Sequence, residues 1–399
     1  MYCPCRPRFL CETSPHGCRV RITVTRILLS KSISRTRVVL SKMPTFVFNL
    51  LNVALAPCPL TQWDVVDVLT APRSSRSLSF LQPVHRPYDV DTENGEIEWI
   101  RHNGQLLMET LHSCGALHFR GFASPKTTIG FRQFCEALPL IPCKDPLTSV
   151  GVRGALGDGV YKAVDSESLS KTFIGLHNDA TYRLAAPFAA FACFQAADRG
   201  GEFLLADGRE VLGALSPRLL QQLHDRRLRV RVAALPTEWL AHGGPMPPAV
   251  RTLLASVIEG IIGAALAVGV PLGLELAWSS DGRLLQILET TKSAFNRHPV
   301  SREPTFFSGV HSQSSYLQQA RAAEMFGGVG VTDVFDGNLA PLEIELLGEI
   351  ESVMTRLTRR VLMQPGDVVL LDSYQTLHGR ETFEGPRRHG VLWLTTARQ

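Results

Sequence analysis

A histidine and an aspartate two residues apart are the first residues in this chain whose types and spacing could support chemistry. They are His177 and Asp179, in the segment Leu176–Ala180. If this segment is a strand or a strand end, His177 and Asp179 point to one side and Asn178 points to the other. One imidazole and one carboxylate placed in this way can bind the same metal ion, as two thirds of a 2-His-1-carboxylate site. The pair alone is a weak indication, because 12 histidines and 37 acidic residues give about one such pair by chance.

A third candidate ligand lies near the C-terminus of the sequence. Gly366–Asp372 predicts a turn that runs into a buried strand, and His378 follows at a strand end. The pair Arg387 and Arg388 comes next, directly before another apolar strand. We expect a hairpin to bring His378 and these arginines together, and an arginine there can bind a carboxylate through two parallel hydrogen bonds. The alternation of residues along the strand does not choose between Arg387 and Arg388.

Short apolar segments separated by Gly, Pro and Asp dominate the sequence after residue 77. The predicted strands include Phe188–Gln195, Gly201–Ala206, Arg283–Leu288, Thr305–Val310, Asp367–Asp372 and Gly390–Thr395. One helix is predicted to start at Ser216 and Pro217, and another to lie within Pro341–Arg359. These strands do not alternate with helices in βαβ fashion. The pattern therefore predicts a mainly β fold with flanking helices, as an antiparallel sandwich or barrel.

The composition is that of a globular protein, with 45% hydrophobic and 20% charged residues. The net charge of +4 comes largely from the first 45 residues, so the main body shows no basic face and no nucleic-acid partner is predicted. The apolar stretches are too short or too interrupted to cross a membrane, and none is predicted to do so. Four of the nine cysteines lie in the first twenty residues and the other five are scattered among apolar neighbours, which is typical of a reduced, intracellular protein.

Residues 1–75 are predicted to form an N-terminal extension, either disordered or a targeting segment, and residues 76–399 the folded domain. The first 45 residues are basic, Ser-rich and acid-poor, which is typical of an organelle transit peptide. An untranslated region before Met43 is the alternative explanation. We therefore expect a cytoplasmic protein, or a mitochondrial or plastid one if the segment is a transit peptide.

The order of these motifs resembles the taurine dioxygenase and clavaminate synthase-like family of iron(II)- and 2-oxoglutarate-dependent oxygenases, especially its syringomycin-biosynthesis-like branch. The resemblance runs from about residue 80 to the end of the chain. The similar stretches are Gly115–Phe122, Gly159–Tyr161, His177–Asp179, Gly200–Asp207, Arg297–Val300 with Phe306 and Phe307, and Gly366–Arg388.

The resemblance implies a double-stranded β-helix (jelly-roll) core with the metal at one mouth. It implies that His177, Asp179 and His378 bind the iron(II). It further implies that Arg388, the second of the paired arginines, binds the far carboxylate of 2-oxoglutarate, with Arg387 as the alternative. Phe203 departs from the family pattern, because the usual residue there is a Thr that hydrogen-bonds 2-oxoglutarate, and Phe has no donor.

The activity implied by the resemblance is hydroxylation of a small organic substrate, such as an amino acid or related metabolite, by molecular oxygen. 2-Oxoglutarate is decarboxylated to succinate in the same reaction. Asp179 favours hydroxylation, because related halogenases have a small residue in its place. Two other functions stay open: a zinc-dependent hydrolase that uses the same three ligands, and a non-catalytic binding member of the fold. The sequence does not indicate the oligomeric state.

Overall fold

The computed structural model describes the part of the chain that carries the predicted domain. The described residues are 79–143, 154–163, 169–178, 180–181, 184–236, 252–253, 255–257, 259–260, 263, 274–279, 281–321 and 332–396. The predicted N-terminal extension over residues 1–75 lies outside them. Its character and its boundary with the domain therefore stay predictions.

Strands are the main elements, and seven α-helices with both ends in the described ranges accompany them; further helical residues occur between 252 and 263. The strands are β1 (Gln82–His85), β2 (Ala116–Arg120), β3 (Ile141–Cys143), β4 (Ala155–Gly157), β5 (Val160–Lys162), β6 (Ile174–His177), β7 (Ala180–Thr181), β8 (Leu184–Ala185), β9 (Phe188–Gln195), β10 (Arg199–Gly200), β11 (Phe203–Asp207), β12 (Leu228–Pro236), β13 (Glu275–Trp278), β14 (Leu284–Leu288), β15 (Phe295–Arg297), β16 (Pro304–Phe306), β17 (Asp333–Asp336), β18 (Arg359–Val361), β19 (Val368–Asp372), β20 (Thr376–Arg380), β21 (Phe383–Glu384) and β22 (Arg388–Thr395). The helices are α1 (Glu93–Cys114), α2 (Thr128–Glu136), α3 (Gly208–Ala214), α4 (Pro217–Arg226), α5 (Val310–Gln313), α6 (Ser315–Ala320) and α7 (Ile344–Leu357).

Two facing sheets form the centre of the domain. The larger has the strand order β1-β2-β19-β9-β22-β5-β4, with β3 also paired to β22, and the smaller has the order β18-β11-β20-β6. The chain crosses repeatedly from one sheet to the other, as it does from β9 to β11 and from β19 through β20 to β22. This crossing is the jelly-roll arrangement. The predicted mainly β fold with flanking helices and a double-stranded β-helix core is confirmed.

The inner strands of both central sheets, β9, β19 and β22 in the larger and β11 and β20 in the smaller, are buried on both of their faces. In β22, Val391 and Trp393 pack between the two sheets, whereas Leu392 and Leu394 pack on the outer side with residues of α1 and α2. In β11, Leu204 likewise faces outward into the core that contains residues of α4 and α7. A strand buried on both faces has a continuous apolar sequence rather than an alternating one. The sequence of such a strand therefore does not reveal which of its residues face the interior of the sandwich.

Most of the predicted elements are confirmed. Helix α4 begins at Pro217, and the Ser216 side chain caps it by accepting a hydrogen bond from the Leu219 amide. The predicted strand over Thr305–Val310 is wrong in its second half, because Val310 begins α5. Among the described residues, no helix combines the length and the hydropathy that crossing a bilayer requires.

The predicted hairpin between His378 and the arginine pair is wrong. Strand β20 pairs with β11 and β6 in the smaller sheet, whereas β22 pairs with β9 in the larger sheet. The connection between them contains β21, which pairs with β10 instead. His378 also lies in the middle of β20 and not at its end. The two sheets face each other, so the sandwich brings His378 and Arg387 to one cavity without a hairpin.

The turn at Gly366 and Asp367 leads into β19 and is bonded to β2 through the Asp367 side chain. Gly366 has φ of 95°, and a Cβ there would lie 2.6 Å from the carbonyl oxygen of Phe122, so only glycine fits without strain. The Asp367 carboxylate is buried and accepts hydrogen bonds from Arg120 Nη2 at 2.7 Å and His118 Nε2 at 3.1 Å. Burial by itself would raise the pKa of Asp367, but the bonds from His118 and Arg120 lower it to about 2.

Replacing Asp367 by asparagine is expected to lower the free energy of unfolding at neutral pH by about 2 kcal/mol, since one pKa unit corresponds to about 1.4 kcal/mol. The folded pKa of Asp367, about 2, lies below its ordinary value of 3.8. Its stabilising effect is therefore complete above the ordinary value and is lost as the pH falls through the folded value. Urea unfolding at neutral and acidic pH measures this effect. A difference between wild type and variant that does not shrink at acidic pH would contradict the role of the charge.

Candidate active site

Two of the predicted metal ligands lie side by side on neighbouring strands of the smaller sheet. His177 ends β6, and His378 is its antiparallel partner in β20. The centroids of the two imidazole rings are 4.6 Å apart, with the ring planes inclined at 44°. Gly379 allows this approach, because a Cβ there would lie 2.4 Å from the carbonyl oxygen of Ile174 on β6. The strand pairing itself therefore holds the two histidines together.

The hydrogen bond of His177 fixes which of its nitrogens faces a metal. Its Nδ1 lies 2.9 Å from the carbonyl oxygen of Gly175. A carbonyl can only accept, so Nδ1 carries the proton and Nε2 is the nitrogen with the lone pair. Metal-binding histidines commonly donate their second nitrogen to a backbone carbonyl in this way. The tautomer of His177 thus suits a metal ligand.

The residue between the two members of the His-x-Asp motif is a structural anchor. Asn178 is buried and donates to the carbonyl oxygens of Ser373 and Thr376, each at 3.1 Å, while its Oδ1 accepts from the Ser308 amide at 3.1 Å. These bonds agree with the expectation that Asn178 points away from the ligand side. They fix the chain directly after His177. Asp179 lies outside the described residues, so its place in the site stays a prediction.

His311 supports β6 from behind the site. It is buried, its Nδ1 accepts a hydrogen bond from the Leu176 amide at 2.8 Å, and its Nε2 lies 3.1 Å from Glu351 Oε2. Burial lowers the pKa of His311. The pKa of Glu351 is lowered to about 2, because hydrogen bonds from His311 and Arg321 outweigh the opposing effect of burial. His311 therefore holds the strand that carries His177 and does not itself line the site.

A cavity opens between the two sheets beside the histidine pair. Its apolar wall includes Phe191 and Phe203, whose ring centroids lie 5.0 Å and 6.0 Å from that of His378. Its other polar residues come from the end of β20 and the start of β22. The residues that line it are Ala163, Ile174, His177, Phe191, Phe203, His378, Gly379, Arg380, Arg387 and His389.

The arginine that reaches this cavity is Arg387. Its side chain is 8% exposed and lines the cavity together with His177 and His378. Arg388 is exposed, and its guanidinium lies over the ring of Phe194, 5.3 Å from the centroid. The choice of Arg388 as the residue that binds 2-oxoglutarate does not agree with this geometry. The alternative, Arg387, does.

His389 is a residue of the site that the sequence reasoning missed. It is 3% exposed, and its Nδ1 lies 3.0 Å from Arg387 Nη2. The signal that could have found it is the alternation of β22, because positions 387 and 389 have the same parity as the inward-facing Val391 and Trp393. That signal becomes usable only when the inner face of β22 is known.

A second group of potential metal ligands lies elsewhere, where ligand atoms of His112, His298 and Asp372 are within 4.8 Å of one another. The His298 Nδ1 accepts hydrogen bonds from the amides of Val300 at 3.3 Å and Ser301 at 3.0 Å. The proton of His298 is therefore on Nε2, which donates to Asp372 Oδ2 at 2.8 Å. A metal bound at Nε2 would require the proton to move to Nδ1. A protonated Nδ1 could no longer accept the hydrogen bonds from the two amides and would face their N–H groups instead. The group is therefore a hydrogen-bonded cluster.

The same cluster stabilises the ionised form of Asp372. Burial by itself would raise the pKa of this carboxyl, but the nearby His298 and His112 lower it. His112 Nδ1 lies 3.2 Å from Asp372 Oδ2, and Tyr374 donates its amide to Oδ1 at 3.1 Å. Asp372 thus ties α1 and the segment after β15 to the end of β19. It does so away from the cavity beside His378.

The donor set beside the cavity fits iron(II). Two imidazoles from His177 and His378, with the carboxylate predicted at Asp179, give the 2-His-1-carboxylate set that leaves positions open for a co-substrate and oxygen. The His177 tautomer and the cross-strand contact with His378 agree with this use.

Comparison with known proteins identifies a family. A family model described as taurine catabolism dioxygenase TauD, TfdA family, matches residues 86–394, which is most of the chain. The dapdiamide synthesis protein DdaC of Enterobacter agglomerans is 24% identical over 290 residues, covering 70% of this chain and 82% of that protein. A clavaminate synthase-like protein of Arabidopsis thaliana is 26% identical over 302 residues, covering 72% and 84%.

Among solved structures, PvcB of Pseudomonas aeruginosa is 15% identical to this chain. The match has a TM-score of 0.45 and covers 86% of this chain and 93% of PvcB.

Proposed function

This chain belongs to the TauD/TfdA family of iron(II)- and 2-oxoglutarate-dependent dioxygenases, and from that premise we propose that it hydroxylates a small metabolite of the amino-acid type. The observation that carries the proposal is a single cavity that His177 and His378 line together with Arg387. A site of this kind combines a metal-binding end with a group that recognises a carboxylate. Both are needed for a dicarboxylic 2-oxo acid.

The metal ligands in this proposal are His177, Asp179 and His378. His177 offers Nε2 because its Nδ1 donates to Gly175. Asp179 supplies the carboxylate. Iron(II) bound there supplies the oxidation in which oxygen is consumed, 2-oxoglutarate is decarboxylated to succinate and a substrate C–H bond is hydroxylated. The side chains hold the reactants in place and exclude water.

Arg387 is the residue proposed to bind the far carboxylate of 2-oxoglutarate. Its guanidinium can form two parallel hydrogen bonds to a carboxylate, and burial strengthens these charge-assisted bonds. Arg380, the neighbouring cation, donates to the carbonyl oxygens of Leu169 at 2.8 Å and Thr172 at 3.0 Å. Arg380 therefore contributes positive charge and rigidity, while Arg387 contributes recognition.

Arg387 also borders an open groove whose lining includes Lys171, Arg199 and Glu384. Arg199 Nη1 lies 3.7 Å from Glu384 Oε2, so the groove carries charges of both signs. Recognition of the far carboxylate in this proposal therefore depends on the buried Arg387.

The proposed substrate is a small polar metabolite that binds beside the metal. The relative DdaC bears the name of a protein of dapdiamide synthesis, which favours a small metabolite over a macromolecule. Asp179 favours hydroxylation over halogenation, because a carboxylate ligand would take the metal position that a halide needs. Nucleic acid and membranes are not proposed as partners.

The proposal is tested by adding iron(II) and then 2-oxoglutarate to the full-length protein under anaerobic conditions. We expect a weak visible charge-transfer absorption band when both are present. Succinate release in air is then scored against a panel of amino acids and related acids, and one or more are expected to increase it.

The two alternative functions give different results. A zinc-dependent hydrolase shows no absorption band and needs no 2-oxoglutarate. A non-catalytic binding protein shows the band but releases no succinate with any member of the panel. Either result would overturn the proposed hydroxylation.

A further inference from the structure

The strand that carries His177 lies at the edge of its sheet. Among the described strands, β6 is the last in the order β18-β11-β20-β6, and it pairs with β20 where His177 faces His378. Helix α5 packs directly against β6, because a Cβ on Gly175 would lie 2.6 Å from the carbonyl oxygen of His311. An edge strand has amides that need a partner other than a strand. For the Leu176 amide that partner is His311 Nδ1, at 2.8 Å.

A single peptide unit connects His311 to His177. The Leu176 N–H and the Gly175 carbonyl belong to the same peptide, and that carbonyl is the acceptor for His177 Nδ1 at 2.9 Å. A peptide unit is planar and almost always trans, so its N–H and carbonyl have fixed, opposite directions. Holding the N–H on His311 therefore holds the carbonyl on His177. A rotation of this peptide would break both hydrogen bonds together.

His311 is itself held in one orientation and one tautomer. Its Nδ1 accepts a hydrogen bond, so the proton of the neutral ring is on Nε2, which lies 3.1 Å from Glu351 Oε2. Burial lowers the pKa of His311 and so favours the neutral ring, which keeps the lone pair on Nδ1. Arg321 pairs with Glu351 and donates from Nη1 to the backbone carbonyl of His311 at 2.9 Å. The His311 ring also meets that of Phe173 edge-on, with centroids 6.4 Å apart.

We propose that His311 is a positioning residue for the metal ligand His177. By holding the Leu176 amide, it keeps the Gly175 carbonyl on His177 Nδ1, and this keeps the ring proton on the nitrogen that faces away from the metal. This inference rests on the proposed function and adds to it a residue that acts on the iron site from outside the cavity. A ligand whose orientation and tautomer are set before the metal arrives binds it more tightly.

His298 provides a matched control. It is buried like His311, its Nδ1 also accepts a backbone amide, from Ser301 at 3.0 Å, and its Nε2 also faces a carboxylate, Asp372 Oδ2 at 2.8 Å. Its partners belong to the cluster with His112 and not to β6. His298→Phe therefore loses the same kinds of hydrogen bond at a place that does not act on His177.

Three variants of His311 separate the two ring nitrogens. His311→Phe keeps a ring but removes both, His311→Asn keeps an acceptor near the Nδ1 position, and His311→Gln has its polar atoms near the Nε2 position. The iron(II) dissociation constant of each full-length protein is measured anaerobically by competition with a coloured chelator. We expect His311→Phe and His311→Gln to bind iron(II) about tenfold more weakly than wild type. His311→Asn and His298→Phe are expected to bind it as wild type does, although urea unfolds His298→Phe more easily.

A second measurement needs no metal. In metal-free protein labelled with ¹⁵N-histidine, nuclear magnetic resonance reports which nitrogen of His177 carries the proton, and a His177→Asn variant assigns the signal. We expect the proton on Nδ1 in the wild type, His311→Asn and His298→Phe, and a mixture of both tautomers in His311→Phe. A loss of stability alone would not change the tautomer of His177.

The inference is overturned if folded His311→Phe binds iron(II) as tightly as wild type with the His177 proton still on Nδ1. Equal weakening by His298→Phe would assign the loss to stability, and equal weakening by His311→Asn would show that the Nδ1 acceptor is not its cause. If His311→Phe does not fold, equal affinities of His311→Gln and His311→Asn overturn the inference instead. Wild-type protein that binds no iron(II) would overturn the proposed function, and the tautomer of His177 still decides whether His311 positions it.

Discussion

Replacing His378 by alanine is expected to abolish stoichiometric iron(II) binding and to reduce succinate release by more than about a hundredfold. Changes to residues that merely support a metal ligand typically cost about 10- to 100-fold, so the loss of a ligand should cost more. His378 is the cross-strand partner of His177, with ring centroids 4.6 Å apart. Iron content after equilibrium dialysis and succinate release measure the effect. Asp179→Ala is expected to behave in the same way.

The matched control is His298→Ala, because His298 is also a buried histidine and belongs to the other group with metal-like spacing. This variant loses a hydrogen bond to Asp372 and is expected to unfold more easily while it still binds one equivalent of iron. Circular dichroism verifies that each variant is folded. Iron retained by His378→Ala but lost from His298→Ala would place the metal at the cluster of His112, His298 and Asp372. That result would contradict the assignment of His378 as a ligand. Hydroxylation that persists in Asp179→Ala would remove Asp179 from the ligand set.

Replacing Arg387 by alanine is expected to raise the KM for 2-oxoglutarate by roughly 30-fold to several thousandfold. Truncating one partner of a buried charge pair costs about 2 to 5 kcal/mol, and each 1.4 kcal/mol is about tenfold in affinity. Arg387 is 8% exposed and lines the cavity with both histidines. Succinate release measured over a range of 2-oxoglutarate concentrations gives the KM directly.

Arg388→Ala is the matched control, because the two arginines are adjacent and only one of them is buried. We expect its KM to stay within about twofold of wild type, as for a surface side chain. The KM of Arg387→Lys for 2-oxoglutarate should lie between those of Arg388→Ala and Arg387→Ala. Lysine keeps the positive charge but lacks the planar guanidinium that forms two parallel hydrogen bonds. A large effect of Arg388→Ala with a small effect of Arg387→Ala would contradict the geometry and return the role to Arg388.

The histidines of the site could be found from the sequence because their spacing depends on local structure. His177 and Asn178 lie at the end of a short strand, where alternation places neighbouring residues on opposite sides. Asn178 accordingly bonds to the protein interior. The apolar segments predicted the strands in the same way, and β9 has the predicted bounds of Phe188–Gln195.

The connection between β20 and β22 could not be predicted from local pattern. Seven residues between two apolar strands suit a hairpin, and nothing within the segment excludes one. The outcome depends on which other strands are present to pair with each of the two. Strand β20 pairs with β11 and β6, and β22 pairs with β9, so the segment between them crosses from one sheet to the other.

By itself, the sequence determined the fold class, the family and the two histidines that meet at the site, because these depend on motif order and on local alternation. The tertiary structure alone decided which arginine enters the cavity and what His389 faces. The physical reason is that β22 is buried on both faces, with Val391 and Trp393 on one side and Leu392 and Leu394 on the other. Hydrophobicity cannot separate two equally apolar faces, so only the packing of the second sheet identifies the inner one.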